Sequence, residues 1–208
     1  MVDLATLTAA VEAGDRKTAV AITQSAIDEG MAPQLILDAM TKAMDVVGGK
    51  FARNELYVPE MLISARAMKE STALLEPLLV KAGIRPEHTA VVGTIKGDLH
   101  DIGKNLVAMM WKGAGIAIVD LGTNVSAEQF VAAAKEHNAS LVGVSALLTT
   151  TMVGMKDVVA AVKGSGLPTK VLVGGAPLTP EFAASIGADG YAPDAASAVE
   201  VARGILAA

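Results

Sequence analysis

Three histidines occur in the 208 residues. One of them, His100, stands in Asp98-Leu99-His100-Asp101-Ile102-Gly103, between an apolar segment that reads as a strand and another that reads as a helix. A histidine that binds a metal through one ring nitrogen usually donates its other N–H to a carboxylate or carbonyl, which fixes the tautomer and makes the binding nitrogen more electron-rich. Asp98, two residues upstream, is placed for that task, and Gly103 lets a bulky group approach the backbone where the helix begins. A zinc hydrolase would need three protein ligands. The other two histidines read as structural: His88 falls in an irregular connecting stretch, and His137 falls at a helix end, where its charge suits the dipole. One nitrogen ligand implies a metal whose remaining positions are filled by a macrocycle. Two other readings stay open, a capping aspartate beside a surface histidine and a metal-free acid–base pair of His100 with Asp98. The turn matches neither the glycine fingerprint of dinucleotide sites nor the P-loop.

The elements around this turn divide the chain. Residues 3 to 80 repeat apolar positions at helical spacing without strand-like alternation. Four helices are predicted: about Leu4 to Ala13, a second behind the N-cap Asp15 running to about Glu29, a third from Pro33 that stops at Gly48-Gly49, and a fourth from Pro59 to about Leu79. Short connections make them a four-helix bundle. Residues 81 to 88, Lys81-Ala-Gly-Ile-Arg-Pro-Glu-His88, read as a linker.

From residue 89 to 208 strands and helices alternate, which predicts a parallel doubly wound sheet of the Rossmann or flavodoxin-like kind. The strands read Thr89 to Ile95, Ile116 to Asp120, Leu141 to Ala146, Lys170 to Val173 and Gly190 to Ala192. The helices read about 102 to 112, 126 to 137, 151 to 163, 180 to 186, and a last one from Ala195. Ser126 with Gln129 forms a capping box, and Thr179 before Pro180 an N-cap. In such sheets ligands bind beyond the carboxyl ends of the strands, where the His100 turn lies.

Composition narrows the partners. A net charge of −5, a pI near 5.2 and a 3% aromatic content argue against nucleic acid. No apolar run reaches the ~18 residues of a membrane span, and the opening MVDLATLTAAVEAGDRK lacks a basic start and apolar stretch. A cytoplasmic location, without membrane contact, is expected. The absence of cysteine excludes disulfides, thiolate nucleophiles and sulfur-ligated metal.

Asp98-x-His100-x-x-Gly103, followed by Gly143-Val-Ser145-Ala-Leu147-Leu-Thr149 and by Val173-Gly174-Gly175-Ala176, resembles the three-part signature of cobalamin-binding domains of the methyltransferase and mutase type. The resemblance implies that His100 displaces the cofactor's dimethylbenzimidazole and becomes the lower axial ligand of cobalt. Asp98 would hydrogen-bond it, and Thr151 would extend that chain. The displaced tail would enter a slot in the sheet lined by Ser145 and Thr149, with room given by Gly174 and Gly175 and the far side closed by Tyr191 to Ala195. Gly97, Leu99, Asp101, Ile102 and Leu147 complete the implied contacts. Upstream, Phe51-Ala-Arg-Asn-Glu-Leu-Tyr57-Val58-Pro59-Glu-Met61 to Met68 resembles the helical cap that precedes the cobalamin domain in methionine synthase and in the corrinoid proteins of anaerobic methyl-transfer systems. By that resemblance Tyr57, Val58 and Met61 would cover the upper face of the corrin, while Met68 and Leu75 read as core.

The resemblance implies a corrinoid methyl carrier. Its cobalamin would cycle between cobalt(I) and methyl-cobalt(III), with His100 coming off and going on and the His100–Asp98 pair exchanging a proton. The cap would separate at the linker. Expected partners are a substrate-specific methyltransferase, an acceptor methyltransferase of tetrahydrofolate or coenzyme M type, and a reductive activase; alone, the chain is expected to turn nothing over. A cobalamin-dependent sensor or storage module is the alternative. Methanol, methylamines, glycine betaine and methoxylated aromatics all remain open as methyl donors.

Overall fold

The computed structural model describes residues 2–207. The chain forms two compact units, divided between Pro86 and Glu87. Among the described residues no helix is long and apolar enough to cross a membrane.

The N-terminal unit is four helices: α1 (Leu4–Glu12), α2 (Arg16–Asp28), α3 (Pro33–Ala52) and α4 (Val58–Lys81). Their starts follow from local chemistry. The Asp15 carboxylate accepts from the Thr18 N–H at 3.1 Å, Pro33 opens α3 where an N–H would have no helical partner, and the Glu60 carboxylate accepts from the Tyr57 N–H at 3.1 Å at the start of α4. The core takes Leu7 and Val11 of α1, Ala19 and Ala26 of α2, Ile36, Met40, Met44 and Val47 of α3, and Met61, Met68 and Leu75 of α4. One boundary departs from expectation, since α3 runs through Gly48-Gly49 to Ala52. Each glycine costs a helix about 1 kcal/mol, but Gly48 lies on the buried stripe and packing carries the helix onward. It ends at Arg53, where Asn54 takes a left-handed φ of 57°.

The C-terminal unit is a five-stranded parallel sheet with helices on both faces. Its strands are β1 (Thr89–Thr94), β2 (Ala117–Asp120), β3 (Leu141–Ser145), β4 (Lys170–Gly174) and β5 (Gly190–Ala192), and its helices are α5 (Ile102–Gly113), α6 (Ala127–Glu136), α7 (Thr149–Met152), α8 (Met155–Gly164), α9 (Pro180–Ser185) and α10 (Ala195–Leu206). The strand order is β2-β1-β3-β4-β5, so the direction of winding reverses between β1 and β3. Helices α5 and α10 pack together on one face, α6 and α8 on the other. Two strand glycines make room for the largest core side chains: a Cβ on Gly93 would lie 2.7 Å from Phe130 of α6, and one on Gly143 would lie 2.8 Å from Trp111 of α5. Trp111 is fully buried, and its indole N–H donates to the Ala198 carbonyl of α10 at 2.9 Å, as a buried indole requires. The helix expected over 151–163 is two helices, α7 and α8, joined at Val153-Gly154.

Candidate functional site

The carboxyl ends of β1 and β3, paired through Thr94 and Ser145, flank the switch point where open α/β sheets bind ligands. The chain leaves β1 through Ile95, turns at Gly97 with a left-handed φ of 85°, and enters α5 at Ile102, so that residues 96 to 101 form the loop that carries Asp98 and His100.

Asp98 has no exposed surface and its carboxylate is saturated. Oδ1 accepts from the His100 N–H at 3.1 Å and lies 2.7 Å from His100 Nδ1. Oδ2 accepts from the N–H groups of Leu147 at 2.8 Å and Leu148 at 3.2 Å, and from the Thr151 hydroxyl at 2.8 Å. Burial alone would push this carboxyl up. The donors from Leu147, His100 and Thr151 outweigh it and hold Asp98 well below the usual carboxylate range. An ionised Asp98 can only accept, so Nδ1 of a neutral His100 carries the ring proton and Nε2 the lone pair. The His100 side chain remains 52% exposed.

Thr94, fully buried at the end of β1, donates its hydroxyl to the His100 carbonyl at 3.0 Å. Having one proton, it then accepts from the Ser145 hydroxyl, also 3.0 Å away. Asn124, in the loop after β2, accepts from the Gly97 N–H through Oδ1 at 2.8 Å and donates its own N–H to the Asp98 carbonyl at 3.0 Å. One turn into α5, Lys104 is buried with its ammonium 2.6 Å from both Asp120 carboxylate oxygens and 2.7 Å from Asn105 Oδ1. Sequence reasoning missed Thr94, Lys104, Asp120 and Asn124.

Large apolar side chains surround the turn in the open: Leu99, Ile102, Leu147, Leu148 and Val153 are all exposed. A Cβ on Gly103 would meet nothing within 4 Å. Gly174 ends β4, in register with Ser145 of β3, and Gly175 follows it. At Gly175 φ is 135° and a Cβ would lie 1.9 Å from the Ala146 carbonyl oxygen, so glycine is demanded there by the chain's own backbone. Thr149 is exposed at the start of α7, Ala195 is buried at the start of α10, and Asp101 sits exposed before α5.

The structure gathers His100, Leu147 and Thr151 around the Asp98 carboxylate, places Gly97 at the turn just before it, and ties Ser145 to the same loop through Thr94. It does not bring Tyr191 into that group. Tyr191 pairs in register with Val173 and packs with the Phe130 side of the sheet, its hydroxyl donating to the Leu178 carbonyl at 3.1 Å. In the N-terminal unit Met61 is fully buried, Val58 partly buried and Tyr57 exposed. His88 approaches the Ser140 hydroxyl at 3.4 Å and His137 ends α6, both structural positions. Among the described residues no group of three or more His, Asp or Glu side chains is placed to hold a metal ion.

A flavodoxin-like strand order with the imidazole at its switch point marks a ligand-binding α/β domain, and family comparison says which ligand. Residues 88–200 match the B12 binding domain, and residues 4–76 match a second B12 binding domain model that describes the helical unit. A corrinoid protein of Desulfitobacterium hafniense is 41% identical over 93% of this chain and 92% of its own length. The dimethylamine corrinoid protein of Methanosarcina barkeri is 38% identical over 92% of both. The crystal structure of the methanol:cobalamin methyltransferase complex MtaBC from Methanosarcina barkeri matches with a TM-score of 0.86 at 30% identity, covering 98% of this chain and 80% of that one. The chain belongs to the B12-binding family of corrinoid proteins, and its cofactor is a corrinoid.

The residues present fit such a group. One imidazole, with one nitrogen committed to a buried carboxylate and the other carrying a lone pair, suits a metal already held by a macrocycle. The exposed apolar side chains and the open backbone at Gly103 suit a large flat ring.

Proposed function

We propose that the chain is a corrinoid methyl carrier in which His100 is the lower axial ligand of cobalt. The observation that carries this is the 2.7 Å contact between His100 Nδ1 and the buried Asp98 carboxylate, which leaves Nε2 as the coordinating atom. Leu99, Ile102, Leu147, Leu148 and Val153 would lie under the ring, and Ser145, Thr149, Gly174 and Gly175 would line the slot for the tail. Tyr57, Val58 and Met61 remain the proposed contributors to the upper face, with the 81–88 stretch as the hinge.

When bound, the corrinoid supplies a cobalt centre able to take a methyl group and pass it on. The protein's own work is orientation and proton control. Leu147 N–H, Leu148 N–H and Thr151 Oγ fix one carboxylate oxygen of Asp98, so the other presents a constant acceptor to the imidazole. That acceptor keeps the ring proton on Nδ1 while Nε2 is engaged, and it stabilises the imidazolium that forms when Nε2 is released and protonated.

The partner is a methyltransferase, as in the complex whose corrinoid subunit this chain matches. A methylated amine is the favoured donor, because relatives at 38 to 41% identity are named for dimethylamine. An acceptor methyltransferase of tetrahydrofolate or coenzyme M type, a reductive activase and a cytoplasmic setting belong to the same proposal. In the test, reduced corrinoid-loaded protein is mixed with dimethylamine and a dimethylamine methyltransferase, and the cofactor's absorption is followed. Methylation with all three components and none without the methyltransferase supports the proposal; a loaded, reduced protein that stays unmethylated while a dimethylamine corrinoid protein in the same mixture is methylated overturns the donor.

A further inference from the structure

Lys104, Asp120, Gly122 and Asn124 hold the imidazole-bearing turn from both sides, and the last three belong to one segment. The β2–α6 segment contributes Asp120, Gly122 and Asn124. Gly122 accepts through its carbonyl from the Thr94 N–H at 2.9 Å. Asn124 spans the next peptides: its side-chain oxygen takes the Gly97 N–H at 2.8 Å and its backbone N–H reaches the Asp98 carbonyl at 3.0 Å. To do both it adopts a left-handed φ of 58°, a conformation that asparagine tolerates better than most residues. On the far side of His100, the buried Lys104 ammonium bridges to both Asp120 oxygens at 2.6 Å, while Asp120 Oδ1 also accepts from the Gly122 N–H at 2.9 Å.

We propose that the β2–α6 segment is a clamp that sets how firmly His100 holds the metal, with Asn124 and the Lys104–Asp120 pair as positioning residues. The inference rests on His100 being the cobalt ligand. Its physical content is preorganisation. Asp98 can align the imidazole only if the Asp98 backbone is itself fixed, and Asn124 fixes it at the peptide before and at the carbonyl after. The Lys104 pair ties the helix that follows to the same segment, so the six residues from Lys96 to Asp101 are held by two anchors on one support. Lys104 cannot be an ordinary solvated lysine: it is 4% exposed, and a buried ammonium persists only where its hydrogen bonds and counter-charge are supplied.

Asn124 gives a clean test because it is exposed. N124G keeps the left-handed backbone and removes the side-chain acceptor; N124D restores an acceptor. K104M is the second variant. Each is made with nitrogen-15-labelled histidine, loaded with unlabelled cobalamin and reduced to the cobalt(II) state at fixed pH, and the fraction with nitrogen-15 coupled to cobalt is read from the electron paramagnetic resonance spectrum, beside H100A. Outer partners of metal-binding histidines change affinity by ~10-fold or more, so N124G and K104M should lower the ratio of histidine-on to histidine-off by about tenfold, with N124D near wild type. If H100A loses the coupling while N124G and K104M, folded and loaded, keep the wild-type ratio, the clamp is wrong and the ligand assignment stands. If H100A keeps the coupling, the ligand assignment fails and takes the clamp with it.

Discussion

His100 Nδ1 and Asp98 Oδ1 lie 2.7 Å apart, one on a half-exposed ring and the other on a carboxylate with no exposed surface. The ring is presented outward while its orientation is governed from inside the fold. The other carboxylate oxygen, Oδ2, is taken wholly by the segment after β3, so the aspartate joins the two strands of the switch point as well as aligning the histidine.

Removal of that carboxylate should therefore cost stability before any cofactor is considered. In D98A the Leu147 and Leu148 N–H groups lose their acceptor and the Thr151 hydroxyl keeps only the Leu148 carbonyl, and donors left without a partner cost about 1–3 kcal/mol each. Urea unfolding of the unloaded protein should show a loss of about 2–4 kcal/mol. A loss under about 0.5 kcal/mol would mean that the Asp98 contacts are not maintained in solution.

The same carboxylate predicts a pH dependence. Asp98 titrates below its ordinary range in the folded chain, so its contribution is fully present above the unfolded value near ~3.9 and is lost as pH falls below that value toward the folded one. The gap between the urea midpoints of wild type and D98N should be narrower at pH 3 than at pH 5. A gap unchanged at pH 3 would contradict the assignment of a depressed carboxyl.

Two glycines of the site should respond in opposite ways to the same substitution. G175A places a methyl 1.9 Å from a carbonyl oxygen at a φ of 135°, and strain of this kind costs on the order of 3 kcal/mol, so the unloaded protein should be destabilised. G103A meets nothing within 4 Å and lies in the first turn of α5; stability should hold or rise by up to about 1 kcal/mol, while cobalamin uptake falls because the open approach is filled. Undiminished uptake by G103A would remove Gly103 from the cofactor surface.

Leu99 and Ile102 are 73% and 77% exposed in the free protein. Surface substitutions of this sort move stability within about ±0.5 kcal/mol, so the L99N/I102N double variant should melt like wild type. Its affinity for cobalamin, measured by titration, should drop by at least tenfold if these side chains lie under the ring. Equal affinity would place the ring elsewhere.

Much of this architecture could be read directly from the chain. The parallel strands announced themselves as short apolar runs ended by glycine and polar turns, and Asp15, Ser126 and Thr179 marked helix starts that the structure repeats. Asp98 and His100 were legible because they stand two residues apart, whereas Thr151, 53 residues from Asp98, was reached only through the resemblance to cobalamin-binding domains. Asn124 and Lys104 were not, because their meaning lies in partners 27 and 16 residues away, and a single polar residue in a loop or an early helical turn carries no local sign of such a pairing. Gly48-Gly49 suggested a helix end by propensity alone, and the buried stripe of α3 overrode it. Tyr191 turned on strand parity: its register with Val173 sends it to the Phe130 side of the sheet, which depends on where β5 joins β4.

The axial bond itself is open to direct measurement. Protein labelled with nitrogen-15 at histidine is loaded with unlabelled cobalamin, reduced to cobalt(II), and its electron paramagnetic resonance spectrum compared with that of unlabelled protein. The hyperfine splitting should change from that of nitrogen-14 to that of nitrogen-15 in wild type, and this coupling should vanish in H100A. A splitting that ignores the label would mean that the cofactor keeps its own benzimidazole on the metal, and would contradict the role given to His100.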